Sequence, residues 1–287
     1  MNLYIVNTFR HTGTHMIKHI LGSCKDVGFS SFKNLTSRLL LSTMSSKKAP
    51  VPLHEQTRQE KKTGKHRYKV YENIVVNMHH HLSPYSNPIE YDSLFNPDLQ
   101  SDVKYFIFAT YRHPLSVIGT SLRRLCRKWT SYCCQVRSGE EICNFCQTQI
   151  VNLAIERIHD EIEKYRNYIN QTNDFKSYVF YQMKTDVFKF KGYEFRKSFF
   201  KEIFESTGLV PTEDTWDIIK VWGKEHSRLT KDISTDNQMI MYNVVENHIF
   251  DESTDTYRTL KDFCDEDIFS EWRAYITFSP ETMKGLI

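Results

Sequence analysis

The sequence predicts an α/β fold: a parallel central sheet of about four or five strands flanked by helices, with a strand–phosphate loop–helix unit at the N-terminus. Three observations predict it. Leu3-Tyr4-Ile5-Val6 runs through Thr8-Phe9-Arg10-His11-Thr12-Gly13-Thr14-His15 into Met16-Ile17-Lys18-His19-Ile20-Leu21, the order of buried strand, tight polar turn and amphipathic helix. Further short apolar strands alternate with long helical stretches, the pattern of a parallel sheet covered on both faces. The polar motifs fall at the carboxyl ends of the predicted strands, where ligands of such sheets bind.

The first element predicts the ligand class. A strand that feeds a helix through a Gly/Thr-rich turn directs backbone N–H groups and the positive end of the helix dipole at one spot, a ready site for phosphate or sulfate. The competing reading of Thr12, Gly13 and Thr14 is a turn that only caps the helix, since Thr and Gly are common there.

Ser42 to Lys69 is polar, Lys-rich and broken by Pro50 and Pro52, which predicts a long surface loop or mobile insert. Val70 to Asn77 reads as a strand that leaves through Met78-His79-His80-His81-Leu82-Ser83-Pro84. Tyr105 to Thr110 is a third strand, ending in Tyr111-Arg112-His113-Pro114. Pro114 suits the first turn of the helix expected from Leu115 to Arg127, because its missing N–H is not needed there. Ile150 to Asn170 places Val151, Ala154, Ile155, Ile158, Ile162 and Tyr165 on one helix face. Tyr178 to Tyr181 is a short strand, Phe195 to Ser206 a helix stopped at Gly208, and Thr212 to Lys224 another helix.

Composition bounds the class. The 287 residues, 40% hydrophobic and 25% charged, describe an ordinary globular protein, expected as a single domain over 1–287 with inserts at 42–69 and 126–146. The net charge of +3 is small and spread along the chain, which argues against nucleic acid and for an acidic small-molecule ligand. No stretch approaches the ~18 apolar residues of a membrane span. The N-terminus begins with a core-like strand instead of a basic stretch and cleavage site, so a soluble, cytoplasmic protein without membrane partners is expected.

Five of the seven cysteines, Cys126, Cys133, Cys134, Cys143 and Cys146, lie close together. One C-x2-C pair is half of a structural zinc signature, and a zinc site, a local disulfide and free, partly buried thiols all remain open. His79-His80-His81 invites a metal reading. Adjacent residues on an extended chain point to opposite sides, however, and cannot all bind one ion.

These residues carry a resemblance. The chain resembles the sulfotransferases that use 3′-phosphoadenosine 5′-phosphosulfate (PAPS), whose first motif is a strand–loop–helix reading roughly Pro-Lys/Arg-Ser-Gly-Thr-(Thr/His). Arg10-His11-Thr12-Gly13-Thr14-His15 stands in that context. The family's second motif is an Arg after a strand, with Pro two residues on and Ser eight residues on; Arg112, Pro114 and Thr120 keep that spacing. Fainter matches are His81-Leu82 to a Lys-Thr-His-Leu-Pro segment, Tyr181-Gln182 to a Tyr-Glu pair, and Glu271-Trp272-Arg273 with Ser279-Pro280-Glu281 to a Trp-Arg and Ser-Pro-Glu ending. The chain departs from the family at His11 and His79, where Lys or Arg is usual, and lacks the Gly-rich basic C-terminal loop of the cytosolic members.

The resemblance implies transfer of a sulfuryl group from PAPS to a hydroxyl or amine of a small-molecule or glycan acceptor, with the 3′,5′-bisphosphate nucleotide (PAP) released and no metal required. It implies that the backbone from His11 to His15 holds the 5′-phosphate, with Arg10 in the same loop and the Thr12 and Thr14 hydroxyls adding contacts. Arg112 and Thr120 would hold the 3′-phosphate, and Tyr181, Trp272 and Arg273 complete the cofactor set. His81, with His80 second, takes the acceptor proton, and His11 hydrogen-bonds the bridging oxygen. Sulfuryl transfer, like phosphoryl transfer, is mainly positioning and charge stabilisation, and the chain offers a group for each need. Gly13 is followed by Thr14 rather than by the Lys of a G-x4-G-K-[ST] loop, which disfavours triphosphate hydrolysis. A nucleotide or nucleoside kinase with an altered loop and a non-catalytic nucleotide-binding protein are the alternatives. The acceptor and the oligomeric state are not legible in the sequence.

Overall fold

The computed structural model describes residues 1–30, 48–51, 57–63, 67–79, 103–130, 142–174, 179–222 and 236–270. The chain divides into two compact units, one of residues 1–111 and 168–222, the other of residues 112–167 and 223–287.

The first unit holds the sheet. Its parallel strands are β1 (Asn2–Thr8), β2 (Val27–Ser30), β5 (Asn73–His79), β6 (Lys104–Tyr111) and β7 (Val179–Lys184), in the order β2-β5-β1-β6-β7. The α/β class with a parallel sheet flanked by helices is therefore observed. From β1 the chain goes to β2 on one side of the sheet, whereas after β5 it goes to β6 on the other. The order reverses at β1, and a crevice outside the carboxyl ends of β1 and β6 is where such sheets take ligands.

The register fixes two faces. Tyr4, Val6, Val75, Phe106, Phe108 and Met183 face one cluster with Met16, Ile17, Ile20 and Leu21 of α1 (Thr14–Gly22). Phe188 of α5 (Thr185–Phe190) and Phe200, Ile203 and Phe204 of α6 (Gly192–Thr207) join it, as do Ile219 of α7 (Glu213–Lys220) and Trp222. Phe188 is the aromatic hub, with ring centroids 4.8 Å from Phe199 and 5.3 Å from Trp222. Each such side chain contributes about 1.5–3 kcal/mol by leaving water. On the opposite face Leu3, Ile5, Ile74, Val76, Ile107 and Ala109 are also buried, which is why β1 reads as a continuous apolar run. Arg196 of α6 is 5% exposed and is spent on the fold, donating to the carbonyls of Phe188, Ile219 and Lys220.

Several boundaries move. Ser42 to Lys69 is not a plain loop: β3 (Lys48–Pro50) and β4 (Tyr68–Val70) pair antiparallel, with α2 (Arg58–Thr63) between them. Val70 belongs to β4, so the strand expected from Val70 starts at Asn73 instead. The missed strand β2 is only four residues long, too short for its periodicity to register. Gly208 ends α6 in the left-handed region at φ 74°, as its position predicted.

The second unit is helical. Its elements are α3 (Pro114–Thr130), the part of α4 (Asn144–Asp174) up to residue 167, α8 (Asp236–Ile249), α9 (Asp255–Cys264) and α10 (Asp267–Ser270). Helix α3 packs on α8 and α9. Tyr165, Phe263 and Phe269 form an aromatic knot, with Tyr165 and Phe269 centroids 5.5 Å apart. No described helix is long and apolar enough to cross a membrane.

Candidate functional site

The loop after β1 is built from threonines, and none of them caps the helix that follows. Thr12 is fully buried; its hydroxyl lies 2.6 Å from the Phe9 carbonyl, to which it donates, and 2.6 Å from the hydroxyl of Thr110 on β6. Thr14 donates to the Thr8 hydroxyl at 2.8 Å, tying the first helical residue to the last residue of β1. Thr185 donates to the Tyr111 carbonyl at 3.1 Å. The side-chain hydroxyls thus hold the loop in shape.

The consequence concerns the backbone. Gly13 stands at the N-cap position of α1 with φ 99°, gives no side-chain cap, and is followed by no acidic residue in the first turn. Its carbonyl accepts from the N–H groups of Met16 at 3.0 Å and Ile17 at 3.3 Å. Among the described residues the N–H groups of Gly13 and Thr14 find no hydrogen-bond partner. His11 is also left-handed, at φ 66°, so the loop carries two left-handed residues separated by one. A helix start that is neither capped nor countered by a carboxylate keeps its orphan donors and its positive dipole end for an external anion. Gly13 occupies the N-cap position of α1, and no threonine hydroxyl caps the helix.

Gly13 is required for two reasons, neither visible in the sequence. A Cβ there would lie 2.9 Å from Thr185 Cγ2, and the φ of 99° disfavours any L side chain. Residue 185 opens α5 directly after β7, so the carboxyl end of β7 presses on the loop. Lys184, the last residue of β7, is half-buried, and loss of solvent lowers its pKa from the usual lysine value.

Tyr168 closes the sheet end from α4. Its hydroxyl accepts from the Thr110 N–H at 3.1 Å and sits within 3.0 Å of two carbonyl acceptors, Asn7 at 2.9 Å and Thr110 at 3.0 Å. Between these strands Asn7 is 1% exposed, and neither polar atom of its carboxamide has a partner. A buried amide without partners costs about 1–3 kcal/mol.

In the second unit the pair expected to bind the 3′-phosphate is brought together. Arg112 Nη1 donates to the Thr120 hydroxyl at 3.3 Å, while that hydroxyl donates to the Ser116 carbonyl at 2.8 Å. The Arg112 backbone is pinned by Tyr165, whose hydroxyl accepts from its N–H at 2.9 Å and donates to its carbonyl at 2.6 Å. His113 caps α3, its Nδ1 accepting from the Leu115 N–H at 3.3 Å. Arg112 is thus aimed by the start of the helix it precedes.

The remaining expected residues are placed as follows. Arg10 is half-buried with its guanidinium 5.9 Å from the Phe9 ring centroid, His11 is half-buried and His15 exposed. Tyr181 lies three residues before the end of β7, stacked on Phe108 at 5.0 Å and hydrogen-bonded to Ser206 at 2.6 Å. His80, His81, Trp272, Arg273, Cys133 and Cys134 lie outside the described residues. Among the described residues no cluster of three or more His, Cys, Asp or Glu is arranged to hold a metal ion. Sequence reasoning missed Thr110, Tyr165, Tyr168 and Thr185. Tyr-x2-Tyr in the helical stretch of α4 was the available signal, since tyrosines inside a helix are suited to partner backbone groups.

Comparison with protein-family models and with curated proteins finds no match for this chain.

Proposed function

We propose that this protein transfers a sulfuryl group from PAPS to a hydroxyl or amine of an acceptor and releases PAP. The observation that carries the reading is the uncapped start of α1, where the N–H groups of Gly13 and Thr14 stay unpaired although three threonine hydroxyls lie in and beside the loop. In this reading the loop backbone takes the 5′-phosphate. The Thr12 and Thr14 hydroxyls act indirectly by holding the loop, a revision of the direct contacts that the resemblance implies.

Arg112 takes the 3′-phosphate, and Thr120 orients its guanidinium. A planar guanidinium with five N–H donors suits a phosphate through paired charge-assisted bonds. His81 removes the proton of the acceptor hydroxyl as its oxygen attacks sulfur, and the bond from sulfur to the 5′-phosphate oxygen breaks. His11, in the loop, donates a hydrogen bond to that leaving oxygen as negative charge develops on it.

Calorimetry with PAP, ATP, and ATP plus magnesium tests the ligand class. PAP is expected to bind without magnesium and more tightly than ATP; magnesium-dependent preference for ATP would instead indicate a kinase. A transfer assay with labelled PAPS against hydroxyl and amine acceptors then separates an enzyme from a nucleotide-binding protein.

A further inference from the structure

Cys143 and Cys146 stand apart from the other cysteines of the described structure. Cys24, Cys126 and Cys264 are buried, and burial pushes the Cys24 and Cys126 thiols up to about 12, which keeps them protonated and inert. Cys143 and Cys146 are instead partly exposed, at the start of the 31-residue helix α4. Cys143 immediately precedes the helix, and its Sγ accepts the Cys146 N–H at 3.4 Å, so the sulfur occupies the capping position. A disulfide needs Cβ atoms about 3.5–4.5 Å apart, closer than the about 5–6 Å of helical neighbours three apart, so closing the pair draws the backbone of Cys143, which lies outside the helix, toward Cys146.

We propose that Cys143 and Cys146 form a reversible dithiol–disulfide pair in which Cys143 is the attacking thiolate and Cys146 the resolving thiol. Three features favour Cys143 as the nucleophile. It faces the positive end of the helix dipole, the first turn of α4 holds no acidic residue, and its sulfur receives a backbone hydrogen bond that stabilises the anion. These bonds from Cys146 lower its pKa from the ordinary thiol value. Both sulfur-bearing residues are partly exposed, and their neighbour Phe145 is 71% exposed.

The co-reactant is a small-molecule disulfide of the glutathione type. The Cys143 thiolate attacks one of its sulfurs, a mixed disulfide forms, and one thiolate leaves. Cys146 gives up its proton and attacks the Cys143 sulfur, closing the intramolecular disulfide and releasing the second thiol. One dithiol is oxidised, one disulfide is reduced to two thiols, and the reverse sequence restores the pair.

The tryptic peptide Ser138–Arg157 contains Cys143 and Cys146 and no other cysteine, so its mass reports the pair directly. The full chain is equilibrated in buffers of oxidised and reduced glutathione, its remaining thiols are alkylated, and the digest is weighed. Oxidised wild type is expected to give this peptide two hydrogens lighter and unalkylated, and reduced glutathione to reverse it. Cys146→Ser is expected to accumulate the glutathione mixed disulfide on Cys143 at least about tenfold faster than Cys143→Ser accumulates it on Cys146. Circular dichroism of each variant guards against unfolding. Equal or reversed rates, a disulfide from either residue to another cysteine in preference to the pair, or a stoichiometric zinc ion that blocks both thiols would overturn the proposal.

Discussion

The Arg112 guanidinium and the Thr120 hydroxyl, eight residues apart in sequence, meet at 3.3 Å across the first two turns of α3. Thr120 gives its own proton to the Ser116 carbonyl and so presents a lone pair to the arginine. The aim of Arg112 is therefore set by helix geometry. Arg112→Ala is expected to weaken PAP binding by about 2–3 kcal/mol, the range for an unmade charge-assisted hydrogen bond, and to leave a nucleotide without the 3′-phosphate nearly unaffected. Thr120→Val keeps the charge and frees the guanidinium, so its loss should be smaller and in the same ligand. Equal losses for both nucleotides would remove Arg112 from the 3′-phosphate.

Gly13→Ala is expected to destabilise the fold by about 1–2 kcal/mol from left-handed strain alone, with a further cost from contact with Thr185. Thr185→Ser removes the Cγ2 that a Cβ at position 13 would meet at 2.9 Å while keeping the hydroxyl bonded to Tyr111. Denaturant unfolding of both single variants and the double variant should show a coupling of at least about 0.5 kcal/mol, the double variant being better than additive. Strict additivity would mean that the two elements do not press on each other.

The Tyr4 hydroxyl adds a pH dependence unrelated to ligand. It lies between two acceptors, Asn73 Oδ1 at 3.1 Å and the Thr207 carbonyl at 3.2 Å, and burial pushes its pKa from 10.0 up to about 12. Because the folded value is raised, the protonated form favours the fold. That contribution is whole below pH 10 and is lost as pH climbs to about 12, a loss of about 2–3 kcal/mol at most. Tyr4→Phe should cost about 1 kcal/mol at neutral pH and flatten the fall in stability above pH 10. An unchanged alkaline slope in urea unfolding would assign the fall to other groups, Cys24 first.

His81→Ala should lower turnover by about 10²–10⁴-fold with nucleotide affinity nearly unchanged. A protonated histidine is no base, so the wild-type rate should fall on the acid side with an apparent pKa near about 6.5, and the variant should lose that limb. A near-normal rate in His81→Ala, with the loss in His80→Ala or His11→Ala, would move the base to that histidine.

Local order alone made the fold class legible. Leu3 to Val6 is apolar at every position because β1 is buried on both faces, and a continuous apolar run followed by Gly/Thr and a helical period has few other solutions. Pro114 and Gly208 announced helix ends for reasons internal to the backbone: a missing N–H and a left-handed φ. The eight-residue spacing of Arg112 and Thr120 was equally local, because one helix carries it.

Long-range placement decided the rest. Whether the hydroxyls of Thr12 and Thr14 face a ligand or the protein depends on Thr110 and Thr8, and in the folded chain they face the protein. One of the two reasons for glycine at position 13 is Thr185, 172 residues later by subtraction, a neighbour that no window of sequence contains. Parallel strands join residues far apart in the chain, so contacts at their carboxyl ends exist only once the strand order is set. The sequence by itself determined the strand, turn and helix; the tertiary structure decided that the hydroxyls of Thr12 and Thr14 are engaged by the protein, because their partners Thr110 and Thr8 meet them only at the assembled sheet end.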